Sequence, residues 1–239
     1  MSKVILVTSG KGGTGKTTFT VNMGATLAQH GARVLLIDMD MGLRNLDLYL
    51  GMENKVVYNL MDVLSGVCGI TKAIIGVDGF DKLYFMAATP GKDDRDITSL
   101  HMKVLCQKLD DVFDFIIIDC PAGIGDLLDV SCEVADKAVL VTEPEIAALR
   151  DADTTERYIR SKGITDSYIV LNKLKVNLIK EGLLPGIYTI RSLFQVPVTG
   201  LIPDDDNIRI STNRGVPIVS KKGTYIEKNF TEIVRRILE

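Results

Sequence analysis

Seven short runs in this chain are almost wholly apolar and rich in β-branched residues: Lys3–Thr8, Val34–Asp38, Leu83–Ala87, Phe115–Asp119, Ala138–Thr142, Tyr168–Asn172 and Val198–Ile202. A strand wetted on one face alternates apolar and polar residues, whereas one that is apolar throughout is covered on both faces. Helix-length patterns lie among them, at Lys16–His30, Thr98–Leu109, Ile146–Ser161 and Tyr225–Leu238. The alternation predicts an α/β fold: a doubly wound, mainly parallel sheet of about seven to eight strands with helices on both faces. With 239 residues, 46% of them hydrophobic, the chain suits a single domain spanning 1–239.

Such sheets bind ligands at the carboxyl ends of their strands. The suggestive polar residues gather there: Gly10 onward, Asp38 and Asp40, Asp119, Asn172, and the Pro203-Asp204 pair. The first of these groups is the most specific. Gly10-Lys11-Gly12-Gly13-Thr14-Gly15-Lys16-Thr17 has the spacing of a phosphate loop, and it follows a predicted strand and opens a predicted helix, with Thr18 next in line. Glycines let successive backbone N–H groups turn towards a phosphate, and the helix start adds unpaired N–H groups and partial positive charge. Lys16 can neutralise β/γ-phosphate charge and the Thr17 hydroxyl can ligate Mg²⁺. A glycine-rich linking turn would not need all of these together. Lys11 is not required to cradle phosphates within one subunit.

The loop resembles the deviant Walker A motif of the MinD/ParA family. The stretch from Ile37 to Asp47 (Ile-Asp-Met-Asp-Met-Gly-Leu-Arg-Asn-Leu-Asp), then Asp119-Cys120-Pro121-Ala122-Gly123, Thr142-Glu143-Pro144-Glu145 and Arg150-Asp151-Ala152-Asp153, is more similar to the MinD members than to ParA proteins. The resemblance implies an ATPase that forms an ATP-dependent sandwich dimer and regulates placement of the division septum. In that arrangement Lys11 reaches the neighbour's phosphates, and Asp40 positions the attacking water. Asp38 and Asp119 hold the magnesium shell, with Asp119 as the Walker B acid; the bland reading of both acids is helix capping. Family partners would be a division inhibitor and an ATPase activator, the latter near Asp151 and Asp153. Those two also fit plain acids at a helix start.

Asn172-Lys173-Leu174-Lys175 bears on the base. Related GTPases read guanine with Asn-Lys-x-Asp, and Lys175 cannot accept the hydrogen bonds that aspartate accepts. ATP is therefore favoured, with Asn172 and the backbone of Pro203 and Asp204 as expected adenine contacts.

A net charge of −3 provides no general attraction to nucleic acid, although Lys173, Lys175, Lys180, Arg209, Arg214, Lys221 and Lys222 could cluster. DNA partition, or placement of another cargo such as flagella, is thus the secondary reading. Apolar runs such as Val34–Ile37 fall far short of the ~20 residues that span a bilayer, and the start of the chain resembles no signal peptide, so a cytoplasmic protein is expected. MinD proteins usually end in a basic amphipathic membrane helix. Here the last pattern carries as many acids as bases (Glu227, Glu232, Glu239; Lys228, Arg235, Arg236), so it reads as a helix packed on the sheet, and contact with the inner face of the membrane is left open. The four cysteines form no Cys-x-x-Cys pair and read as structural thiols. Metabolic branches of the family lack their chemistry here: no cysteine stands near Pro90-Gly91-Lys92 to hold an iron–sulfur cluster, no glutaminase region is present, and there is no tyrosine-rich tail.

Overall fold

The computed structural model describes residues 2–41, 44–89 and 97–239; Gly42 and Leu43 of the family-like stretch, and Pro90-Gly91-Lys92, lie outside them. In chain order the elements are β1 (Lys3–Thr8), α1 (Lys16–Gln29), β2 (Val34–Asp38), α2 (Leu46–Tyr49), α3 (Leu60–Leu64), α4 (Ile70–Ala73), β3 (Ile75–Gly76), β4 (Leu83–Met86) and α5 (Ser99–Leu109). Then come β5 (Phe115–Asp119), α6 (Asp126–Cys132), β6 (Lys137–Thr142), α7 (Ile146–Ser161), β7 (Ser167–Leu174), α8 (Val176–Lys180), α9 (Ile187–Leu193), β8 (Val198–Pro203), α10 (Asp206–Asn213) and α11 (Tyr225–Leu238).

All seven predicted strands are present, within two residues at each end. They join one eight-stranded sheet in the order β3-β4-β2-β5-β1-β6-β7-β8, and each pairing is parallel except the two-residue β3 against β4. β1, β2, β5 and β6 are buried along almost their whole length, as their unbroken apolar runs require. Two core clusters lie on opposite faces. One runs through Leu6, Leu35, Ile116 and Leu140 to α5, α6 and α7, and the other through Ile5, Leu36, Ile117 and Val139 to α1 and α11.

The last helix settles one sequence question. Ile226, Phe230, Ile233, Val234 and Ile237 are all buried, and the Phe230 ring stacks on Phe19 of α1 at 6.1 Å. Its apolar stripe faces the protein interior. Among the described residues no helix is long and apolar enough to cross a membrane.

Topology then places the site. β1 runs on through α1 to β2 on one side, while its neighbour β5 runs on through α6 to β6 on the other, so the connections diverge and the loop after β1 opens into the resulting crevice. The same register sets Asp38 directly beside Asp119 at the ends of β2 and β5.

Candidate functional site

A cleft of about 660 Å³ opens over the carboxyl ends of the strands, lined by Ser9, Gly12, Gly13 and Gly15 to Thr18, with Asp40, Pro121, Asn172, Lys173, Pro203 and Asp204 around it. The loop at its floor is built to leave donors unpaired. Gly15, at the α1 N-terminus, has a left-handed φ of 89°, no side chain caps the helix, and its first turn carries no acid. A Cβ on Gly12 or Gly13 would find nothing within 4 Å, so the space above the loop is open. The Thr14 hydroxyl is buried with no hydrogen-bond partner. An anion seated on the loop would take up the unpaired N–H groups at the helix start.

Behind the loop, Asp119 gathers three donors. Its Oδ1 accepts from Lys16 Nζ at 2.9 Å and from Thr20 Oγ1 at 3.0 Å, and its Oδ2 from Thr17 Oγ1 at 2.7 Å. Burial works against the charged form of Lys16, but the charge and hydrogen bond of Asp119, aided by Cys120 and Asp38, leave its pKa raised. Asp38 is pushed up to about 7, first by burial and then by the charge of Asp119 beside it. Burial and the adjacent Asp119 charge both disfavour a charged Asp38, a strain that a divalent cation next to Thr17 would relieve. The pocket thus suits both a polyphosphate and its magnesium.

Some predicted residues have partners that the sequence did not suggest. Asp38 accepts the Asp40 N–H at 2.9 Å and the Leu46 N–H at 3.2 Å, so the capping reading is partly realised: the carboxylate fastens the start of α2. Asn172, expected against a base, commits its side-chain N–H to the Thr14 carbonyl at 2.8 Å, and a Cβ on Gly15 would lie 2.2 Å from that nitrogen. It props the loop from behind, which is one reason residue 15 is glycine. A Cβ on Gly10 would strike the backbone of Asp151 at 2.4 Å, so α7 abuts the start of the loop. Lys11 is half-buried beside the loop and pairs with Glu145 at 3.3 Å. Asp40 and Thr18 line the cleft, as do Pro203 and Asp204, whose N–H bonds the Leu174 carbonyl.

Other residues were missed. Lys173 takes a left-handed φ of 54° and reaches the Gly13 carbonyl at 2.6 Å and Glu143 at 2.8 Å, clasping the loop from its outer side. Asn45 just before α2, Tyr49 of α2, and Ile208, Arg209, Thr212 and Asn213 of α10 line further walls. α10 spans only eight residues and buries none of them fully, so it did not stand out in the sequence. Asn45 stood in the family-like stretch and could have been singled out there.

Residues 5–218 match the model of the CobQ/CobB/MinD/ParA nucleotide-binding domain. The septum site-determining protein MinD of a Synechocystis species is 40% identical over 238 residues, covering 99% of this chain and 90% of that protein. The chain belongs to the MinD/ParA family. Among solved structures, the MinC:MinD cell division complex of Aquifex aeolicus superposes with a TM-score of 0.89 at 34% identity, covering 99% of this chain and 96% of that one. The septum site-determining MinD of Pyrococcus horikoshii, complexed with Mg-ADP, gives a TM-score of 0.87 at 29% identity, with 99% and 96% covered. Family membership makes this a nucleotide-binding P-loop ATPase of the septum site-determining MinD type.

Proposed function

We propose that residues 1–239 act as one MgATP-dependent switch in septum placement: ATP brings two copies together across their clefts, and hydrolysis parts them. The observation that carries this reading is the contrast between the loop's two lysines. Lys16 is buried against Asp119, whereas Lys11 stands at the rim with 35% of its side chain exposed and, among the described residues, is held by an ion pair to a more exposed Glu145. An exposed pair of this kind contributes roughly 0–1 kcal/mol, so a phosphate on a second molecule can take the lysine over.

In this reading the backbone of Gly10 to Thr18 holds the phosphates, and Lys16 turns from Asp119 to the β/γ oxygens. Thr17, Asp38 and Asp119 would hold magnesium, which would neutralise phosphate charge during hydrolysis. Asp40 orients the attacking water, and Lys11 of the opposing copy stabilises charge in the transition state, as an arginine finger does. Asn172 supports the loop while it borders the base, and the Pro203 and Asp204 backbone meets the adenine. Lys175 leans towards Asp204 at 3.7 Å, where a guanine reader would present an acid, which supports ATP.

A relative was solved with MinC, and by analogy this chain recruits a division inhibitor. An ATPase activator pressing on α7 near Asp151 and Asp153 would act directly on Gly10, whose backbone meets that helix. Placement of DNA fares worse. Lys173, Lys175 and Arg209 are already paired with Glu143, Asp204 and Asp206, which weakens any basic phosphate-binding surface. We assign the protein to the cytoplasm; because α11 faces inward, its apolar stripe is not available for attachment to the inner face of the membrane.

The test is solution mass and phosphate release with MgATP and with MgADP. ATP should double the mass and ADP should not. Lys11→Ala should bind ATP yet stay monomeric and lose turnover by about 10³-fold or more, and Asp40→Asn should dimerise without turnover. A Lys11→Ala protein that dimerises and hydrolyses normally would refute the trans mechanism.

A further inference from the structure

Two walls of the cleft come from distant parts of the chain, Asn45 just before α2 with Tyr49 of α2, and Ile208, Arg209, Thr212 and Asn213 from α10. Shortly after each helix the chain passes through a left-handed glycine, Gly51 at φ 65° and Gly215 at φ 64°. The two glycines meet back to back. A Cβ on Gly215 would lie 2.5 Å from the Gly51 Cα and 2.6 Å from its nitrogen, and a Cβ on Gly51 would lie 2.9 Å from the Gly215 carbonyl oxygen. The obstacle on both sides is backbone, which cannot swing aside as a side-chain tip does.

Each partner is fixed on its far side too. α2 is tied to Asp38 through the Leu46 N–H, and its carboxyl end is closed by Met52 N–H to the Asp47 carbonyl at 2.8 Å. Buried Asp47 takes Arg44 through Nε at 2.8 Å and through a terminal guanidinium nitrogen at 2.7 Å, with Arg44 itself at a φ of 44°. Beyond α10, the Val216 N–H bonds the Ser211 carbonyl at 3.1 Å. Leu50 and Met52 on one side and Ile208 on the other rest on the same core cluster beside α1. The glycine contact is therefore a joint between two anchored pieces.

We propose that the Gly51–Gly215 contact positions the nucleotide: it locks α2 and α10 into one unit, so that the wall fastened to Asp38 and the wall beside Asp204 close on the nucleoside at a single fixed spacing. Gly51 and Gly215 are positioning residues that touch no ligand themselves. The proposal rests on the nucleotide reading of the cleft given above.

Gly66 and Gly79 supply the control, since their φ values of 75° and 79° are equally left-handed but a Cβ there would meet nothing within 4 Å. Gly51→Ala and Gly215→Ala are compared with Gly66→Ala and Gly79→Ala, well below each melting temperature, for affinity towards MgADP and towards inorganic tripolyphosphate. All four alanines are placed on a left-handed backbone. Only the first two should weaken MgADP, by about tenfold or more given the sensitivity of bound geometry to shifts near 1 Å, while tripolyphosphate stays within about twofold. Asn variants at 51 and 215 tolerate the left-handed backbone but keep the Cβ, so they isolate the contact and replace any alanine variant that does not fold. MgADP affinity equal to that of the controls would overturn the proposal, and so would parallel loss of both ligands, which marks general damage. A wild-type protein that binds no MgADP would instead sink the nucleotide reading, and this proposal with it.

Discussion

The two lysines of the phosphate loop stand five positions apart and live under different physics. Lys16 is 8% exposed and shares the buried Asp119 with Thr17 and Thr20, while Lys11 is half-buried and pairs with the more exposed Glu145. A buried ion pair is close to neutral in net stability but costly to break, because removing one partner strands the other's charge. An exposed pair is cheap to make and to break. One lysine is therefore fixed equipment of its own subunit and the other is available for exchange. The contrast teaches that identical side chains in one motif take their roles from burial.

The harshest way to break the comparison is Lys16→Met. It leaves Asp38 and Asp119 buried side by side without their ammonium, and unfolding by urea should show a loss of about 3–5 kcal/mol. Nucleotide binding should vanish as well. A variant with wild-type stability would mean that the Lys16–Asp119 pair contributes nothing to the fold. The double variant Lys16→Met with Asp119→Leu should recover much of the stability but none of the binding, since it replaces both charges by apolar groups.

Asn172→Ala probes the same buried side of the loop from behind. The Thr14 carbonyl loses its donor at 2.8 Å, and the space that Asn172 fills above Gly15 is emptied. Loss of one such hydrogen bond, with a buried acceptor stranded, costs about 1–3 kcal/mol, so ATP affinity should fall by roughly tenfold through a looser loop. Calorimetry with ATP and with tripolyphosphate separates the two roles of this residue. Equal loss for both ligands marks the prop, and loss for ATP alone marks a base contact.

How much of this was legible in the sequence depends on element length. Runs such as Val34–Asp38 and Phe115–Asp119 carry their own evidence, because a strand covered on both faces must be apolar throughout, and their ends then mark the site. α2 spans only Leu46–Tyr49 and β3 only Ile75–Gly76, too short for any periodicity to register, and tertiary contacts hold them. α10 is amphipathic without being buried, so its contribution to the cleft could not be read from burial. In the site the residue types were legible and several bonds were not. Asp38 and Asn172 were singled out for a metal and a base, yet without ligand each is engaged with backbone, as short polar side chains beside loops tend to be. Lys173 fell inside the quoted Asn-Lys-Leu-Lys stretch, but nothing in sequence betrays a left-handed backbone at a lysine.

The mildest intervention sharpens the rim side. Glu145→Gln removes only the charge opposite Lys11, and the stability of the monomer should change by less than about 1 kcal/mol. Raising salt from 0.05 M to 0.5 M should likewise move the wild-type urea midpoint very little through this pair, since exposed charges are screened within about a Debye length while Lys16 and Asp119 are shielded from ions by burial. Both small outcomes are informative because of where Lys11 sits. If losing Glu145 destabilised the monomer as strongly as losing Lys16, the rim lysine would be a structural anchor after all, its transfer to a second molecule would carry a large cost, and the trans role would lose its physical basis.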